Sequence, residues 1–208
     1  MQSTLVKINE KGDFCPFPGV TVVSAIKAED YQFWEELYNL LNKCELAKQY
    51  YSWLPFESYH MTTLSLYTKL DVGAPDWKGF IEKNLPKFQE IAKLLDEKSF
   101  TPDIELGELE VGYGVLFNLK LPEDQQQLIN SVTSLLGFSD KLPHWPHLAL
   151  AYRYKETTSE INKAIRTELE PVLGFLGKKI QLEPPKLCYF NDMKAFIPWN
   201  GEKYPFED

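Results

Sequence analysis

Residues 147–154 read His-Leu-Ala-Leu-Ala-Tyr-Arg-Tyr, and their pattern decides the fold. Large apolar and aromatic residues recur at every second position, the period of an extended strand rather than a helix. On that period Leu148, Leu150, Tyr152 and Tyr154 share one face, the core side, while His147, Ala149, Ala151 and Arg153 share the other. A histidine that merely fills a core belongs with the leucines; His147 lies opposite them and faces a different space. The stretch 59–67, Tyr-His-Met-Thr-Thr-Leu-Ser-Leu-Tyr, repeats the arrangement, with His60 and Thr62 on one face and Met61 and Thr63 on the other. Strict alternation also puts Leu64 and Leu66 on the face of His60, so its surroundings are mixed. The chain holds three histidines, and two of them open these predicted strands.

Outward from the two strands, the other elements fall into two rounds. A turn with two prolines, Lys11 to Gly19, feeds a β-branched strand over 20–26. Apolar residues at Tyr31, Trp34, Leu37, Leu40, Leu41 and Cys44 give a helix within 29–46. After the first histidine strand, Asp76 is placed to cap a helix reaching about Asp96, with Pro86 inside it. Strands over 104–110 and 113–119 follow around Gly112 and Gly114, then a helix over 123–136. The second round has the strand 147–154 and a helix over 159–176 that Pro171 bends or ends early. Short strands over 180–182, 187–190 and 195–197 close the chain. This order predicts an α+β protein with two related halves and a shared cleft.

The composition narrows what such a cleft holds. The chain has 208 residues, 44% of them hydrophobic, enough for one sizeable core. With 22 Lys and Arg against 30 Asp and Glu, the net charge is −8. A long nucleic-acid duplex favours a basic surface, so the balance points to a small or short anionic ligand held in a local pocket. Cys15, Cys44 and Cys188 are odd in number and lack metal-site or disulfide-framework spacing. No stretch of about 18 apolar residues and no basic-then-apolar leader is apparent. A cytoplasmic monomer without membrane contact is therefore expected.

The segment Tyr59-His60-Met61-Thr62-Thr63-Leu64 resembles the first His-x-Thr/Ser motif of the two-histidine phosphoesterase superfamily. Pro146-His147-Leu148-Ala149-Leu150-Ala151-Tyr152 resembles the second, and the two histidines are 147 − 60 = 87 residues apart. Pro16-Phe17-Pro18-Gly19-Val20-Thr21 resembles the opening of a bacterial and fungal branch in which a Pro-Phe-Pro-Gly turn precedes the first strand. The resemblance spans Gly12 to Phe196. It implies that residues 1–208 form a single two-lobed LigT-like domain, two antiparallel sheets making a central cleft flanked by helices. It further implies that His60 and His147 are a proton-transfer pair, with Thr62 donating to a phosphate oxygen and no metal or cofactor required. The implied substrates are 2′,3′-cyclic phosphates, related nucleotide phosphodiesters or short oligonucleotides.

One position departs from the family pattern. Where the second motif carries Ser or Thr, this chain has Ala149, which cannot donate a hydrogen bond. By strand parity neither Thr63 nor Ser65 replaces that hydroxyl; Arg153 and Tyr113 are the candidates. Tyr113, between two glycines, and Trp145, beside His147, are candidates for stacking on a base. Losing one such donor costs on the order of 10²-fold in rate. Two further readings follow: a nucleotide-binding module that no longer turns over, and a protein-interaction domain reusing the fold.

Each residue also has a plainer reading. Alone, His60 is a strand-end histidine bonded to backbone, Thr62 expresses β propensity, and Ala149 packs in a strand. His144 and His147 form His-x-x-His, but Pro143 and Pro146 oppose a helical pair and no nearby cysteine completes a zinc site. Tyr50, Tyr51 and Trp53 read as packing residues. The pairing of the two motifs is what favours the catalytic reading.

Overall fold

The computed structural model describes residues 6–73 and 75–206. Nine strands occur among them: β1 Gly19–Ala25, β2 Tyr51–Trp53, β3 His60–Thr68, β4 Asp103–Val111, β5 Gly114–Lys120, β6 His147–Arg153, β7 Lys179–Gln181, β8 Lys186–Phe190 and β9 Ile197–Pro198. Five α-helices accompany them: α1 Tyr31–Leu41, α2 Lys69–Val72, α3 Trp77–Glu97, α4 Glu123–Leu135 and α5 Ser159–Glu168.

The strands join in the order β7-β4-β5-β6-β3-β1-β8-β9, with every pairing antiparallel. The sheet thus consists of two four-stranded halves, β7-β4-β5-β6 and β3-β1-β8-β9. Their innermost strands, β6 and β3, are the two that begin with histidine. These meet through a single registered pair, Met61 opposite Leu148. Beyond it, β2 takes over the same edge of β6, with Ser52 opposite Tyr152. The two predicted sheets are therefore the two halves of one curled sheet.

Two apolar clusters sit behind the sheet. The larger gathers Trp34, Leu37 and Leu41 of α1 with Phe117 of β5, Leu148 of β6 and Ile165 of α5. The smaller sets Trp77, Ile81, Phe88 and Ile91 of α3 against Val20, Val22, Leu64 and Leu66. The period of α1 and α3 explains this: their buried residues are spaced three, four or seven positions apart, one or two helical turns, giving each helix one apolar stripe. Asp76 caps α3 as its sequence suggests, its carboxylate accepting from Gly79 N at 2.8 Å. Pro86 lies inside α3 without ending it.

Three segments differ from expectation. The helix predicted over 159–176 ends at Glu168, and a 3₁₀ stretch, Glu170–Phe175, follows, because Pro171 has no N–H to continue the ladder. The predicted strand over 195–197 is displaced to Ile197–Pro198. The aromatic cluster at 51–53 is the short strand β2, with Tyr51 and Trp53 in the larger core. No helix among the described residues is long and apolar enough to cross a membrane.

Candidate active site

His60, Thr62, His147 and Ala149 line one cleft of about 530 Å³. The antiparallel pairing of Met61 with Leu148 sets His60 beside Ala149 and Thr62 beside His147. Each histidine thus neighbours the third residue of the other motif, an approximate twofold arrangement across the joint between the halves.

The two rings are anchored alike. His60 Nδ1 donates to the Ser58 carbonyl at 2.7 Å, and His147 Nδ1 donates to the Trp145 carbonyl at 3.1 Å. A carbonyl only accepts, so each neutral ring carries its proton on Nδ1 and keeps a lone pair on Nε2. Their settings differ. The Phe196 ring packs 4.0 Å from that of His60, centroid to centroid. Burial pushes His60 down to about 4, opposed by its bond to Ser58 and assisted by repulsion from His147 and Lys7. His60 is consequently a neutral imidazole at physiological pH.

Both histidine strands depart from regular alternation just past their motifs. Val23 and Val22 of β1 are adjacent, yet they pair with Thr62 and Leu64, leaving Thr63 as an extra residue in β3. Val115 and Leu116 of β5 pair with Ala151 and Ala149, leaving Leu150 extra in β6. These are β-bulges at equivalent places, and each inverts the facing of the residues beyond it. At the first bulge, Thr63 Oγ1 donates to Val22 O at 3.2 Å and Thr21 Oγ1 to Leu64 O at 3.0 Å. Leu64 can therefore enter the core although His60 faces the cleft.

The bulges correct several expectations drawn from parity. Ser65 lines the cleft after all, as does Tyr152, assigned above to the core face. Ser65 still does not replace the hydroxyl missing at Ala149, because five residues of strand separate it from His60, about 16 Å. Ala151 is 1% exposed, in the core rather than the cleft. Arg153 lies outside the cleft lining, six residues or about 20 Å along the strand from His147. Its guanidinium stands 5.0 Å over the Tyr113 ring and bonds Glu156 at 3.2 Å. Tyr113, 55% exposed, lies at that same distant end. Neither Arg153 nor Tyr113 is placed to contact a ligand between the histidines.

Trp145 sits at the rim. Its ring neighbours those of His144 and His147, 6.2 and 6.1 Å away centroid to centroid, and lines an adjacent hollow of about 250 Å³ that shares Thr62 and His144 with the cleft. Its backbone carbonyl, rather than its ring, holds His147. Among the described residues no group of three or more His, Cys, Asp or Glu is gathered as metal ligands. Lys7, Tyr152, Met193 and Phe196 also line the cleft and escape the sequence reading. Only the bulge in β6 turns Tyr152 inward, and the other three lie in irregular segments without periodicity.

A sheet of two halves, with one histidine on each innermost strand and both in one cleft, defines a two-histidine phosphoesterase fold. More narrowly, the family described as 2H-phosphodiesterase, domain of unknown function (DUF1868), matches residues 7–111, and the chain belongs to it. Membership supports a phosphodiesterase-type activity in general. The uncharacterized protein 127L of Invertebrate iridescent virus 6 is 26% identical over 221 residues, covering 92% of this chain and 93% of that protein. A conserved protein of unknown function from Agrobacterium tumefaciens shares the fold with a TM-score of 0.69 at 19% identity, covering 93% of this chain and 89% of that one. E. coli LigT in apo form superposes with a TM-score of 0.51 at 12% identity, covering 89% and 96%.

Proposed function

We propose that the chain hydrolyses 2′,3′-cyclic or short oligonucleotide phosphodiesters without a metal, with His60 as base and His147 as acid. The observation that supports this reading best is the shared cleft, in which two imidazoles anchored through Nδ1 both keep Nε2 for proton transfer. His60, held neutral, has its Nε2 lone pair available to accept a proton. It takes a proton from water as the water oxygen bonds to phosphorus. The bond from phosphorus to the leaving sugar oxygen breaks, and that oxygen takes a proton from Nε2 of protonated His147. Thr62, beside His147, donates its hydroxyl to a non-bridging oxygen as charge shifts there. A cleft of about 530 Å³ suits a nucleotide-sized ligand rather than a polymer.

The test is turnover of a panel of 2′,3′-cyclic nucleotides and short oligonucleotides in excess chelator. Wild type is expected to turn over, and His60→Ala or His147→Ala to lose at least about 10³-fold. A second reading, a nucleotide-binding module without turnover, draws support from Ala149. Calorimetric binding of a nucleoside monophosphate with no hydrolysis across the panel would favour it. Absence of both binding and turnover would favour an interaction domain.

A further inference from the structure

The cleft contains a cation that the two motifs do not account for. Lys7 lines it, with Nζ 4.7 Å from the centroid of the Tyr152 ring and 5.5 Å from that of Phe17. It stands close enough to His60 to contribute to that ring's lowered pKa. No carboxylate pairs with Lys7 among the described residues. Two aromatic faces hold the ammonium while leaving N–H donors unspent, since a ring attracts the charge without accepting strong hydrogen bonds.

Tyr152 adds a second donor. It follows Ala149 in β6, and the bulge at Leu150 brings it onto the cleft side. Its hydroxyl donates to Met193 Sδ at 3.5 Å. A thioether is a weak acceptor, so an anionic oxygen readily displaces it. Ala149 itself lies beside His60 in the sheet register. The side of the cleft that lacks a motif hydroxyl is therefore the side on which Lys7 and Tyr152 stand.

We infer that Lys7 and Tyr152 form an anion subsite that binds a phosphate non-bridging oxygen in place of the hydroxyl absent at Ala149. This rests on the phosphodiesterase reading of the same cleft. The subsite is asymmetric: Thr62 offers a neutral hydroxyl on the His147 side, while Lys7 offers a full charge on the His60 side. The positive charge there also favours the neutral form of His60.

The test compares wild type with Lys7→Gln, Lys7→Arg, Ala149→Ser and the Lys7→Gln/Ala149→Ser double variant. One arm measures affinity for adenosine 2′-monophosphate and inorganic phosphate by calorimetry; the other measures kcat and KM on the cyclic nucleotide panel. Lys7→Gln is expected to weaken binding of both probes at least about tenfold and lower kcat by about 10²-fold. Lys7→Arg should keep most of both, and Ala149→Ser should restore a substantial part of what Lys7→Gln loses. His60, followed by NMR, should titrate at higher pH in Lys7→Gln. Unchanged binding and turnover in folded Lys7→Gln overturns the subsite and leaves the phosphodiesterase reading standing. Losses that Ala149→Ser does not restore also overturn the substitution for the missing hydroxyl. A wild type that neither binds these probes nor turns over overturns both readings.

Discussion

His60 is set apart from His147 by its surroundings. Both rings lean on a carbonyl two residues earlier, but Phe196 covers His60, and burial is the main reason it resists protonation. A base is active when deprotonated, so the acid limb of kcat/KM is expected near pH 4 in wild type. Phe196→Ala admits water to the ring, relieves the desolvation and should move that limb upward, toward the ordinary histidine value of about 6.5. A pH–rate profile of the two proteins checks this; an unmoved limb would mean that His60 is not the base. Ala149 was legible as a departure from the motif, but the groups able to offset it were not. Lys7 stands in a segment without periodicity, and nothing in its neighbours places it over Tyr152.

Strands and helices were read from their periods, and that reading locates the motifs. His147 heads β6, where a strand was expected to start, and His60 heads β3, one residue after the expected start at Tyr59. Alternation then failed at the same place in both, one residue past the third motif position. A bulge adds one residue without altering composition, so the sequence retains the look of a regular strand. It is held by groups on the neighbouring strand, as the reciprocal bonds of Thr21 and Thr63 show. Thr63→Val keeps shape and β propensity but removes one of those bonds. It is expected to lower stability by about 1 kcal/mol. Turnover should fall about ten- to a hundredfold as Thr62 loses its placement. Chemical denaturation and steady-state kinetics measure the two effects; wild-type kinetics in a destabilised Thr63→Val would show that the bulge serves folding alone. β2 escaped prediction because three residues are too few to establish a period, and its position beside β6 depends on a partner about 100 residues away.

For the molecule as a whole, the α+β class and the two halves followed from the order of elements, whereas their joining into one sheet did not. The joint is the Met61–Leu148 pair, a contact between distant residues that local pattern does not reveal. The acidic balance also acts at this scale. With a net charge of −8, few phosphates of a long duplex would find cations, and the affinity that comes from counterion release is weak. Excess double-stranded RNA should therefore leave turnover of a cyclic mononucleotide unchanged at physiological salt, while a short single-stranded competitor slows it. Strong, salt-sensitive inhibition by the duplex would instead reveal a polymer-binding face.

The paired bulges make the protein's tolerance to insertion and deletion unequal to its tolerance to substitution. Removing one residue at Thr63 or at Leu150 would leave a well-formed strand of acceptable composition. It would also keep the facing of everything beyond, with Ser65 and Tyr152 still on the cleft side, whereas removing a residue from a regular stretch while the bulge stays would exchange inside for outside. Lineages descended from a common ancestor could thus vary many side chains here freely but the spacing only at the bulges, and a single-codon deletion scan across the two strands would find its mildest losses at those two positions.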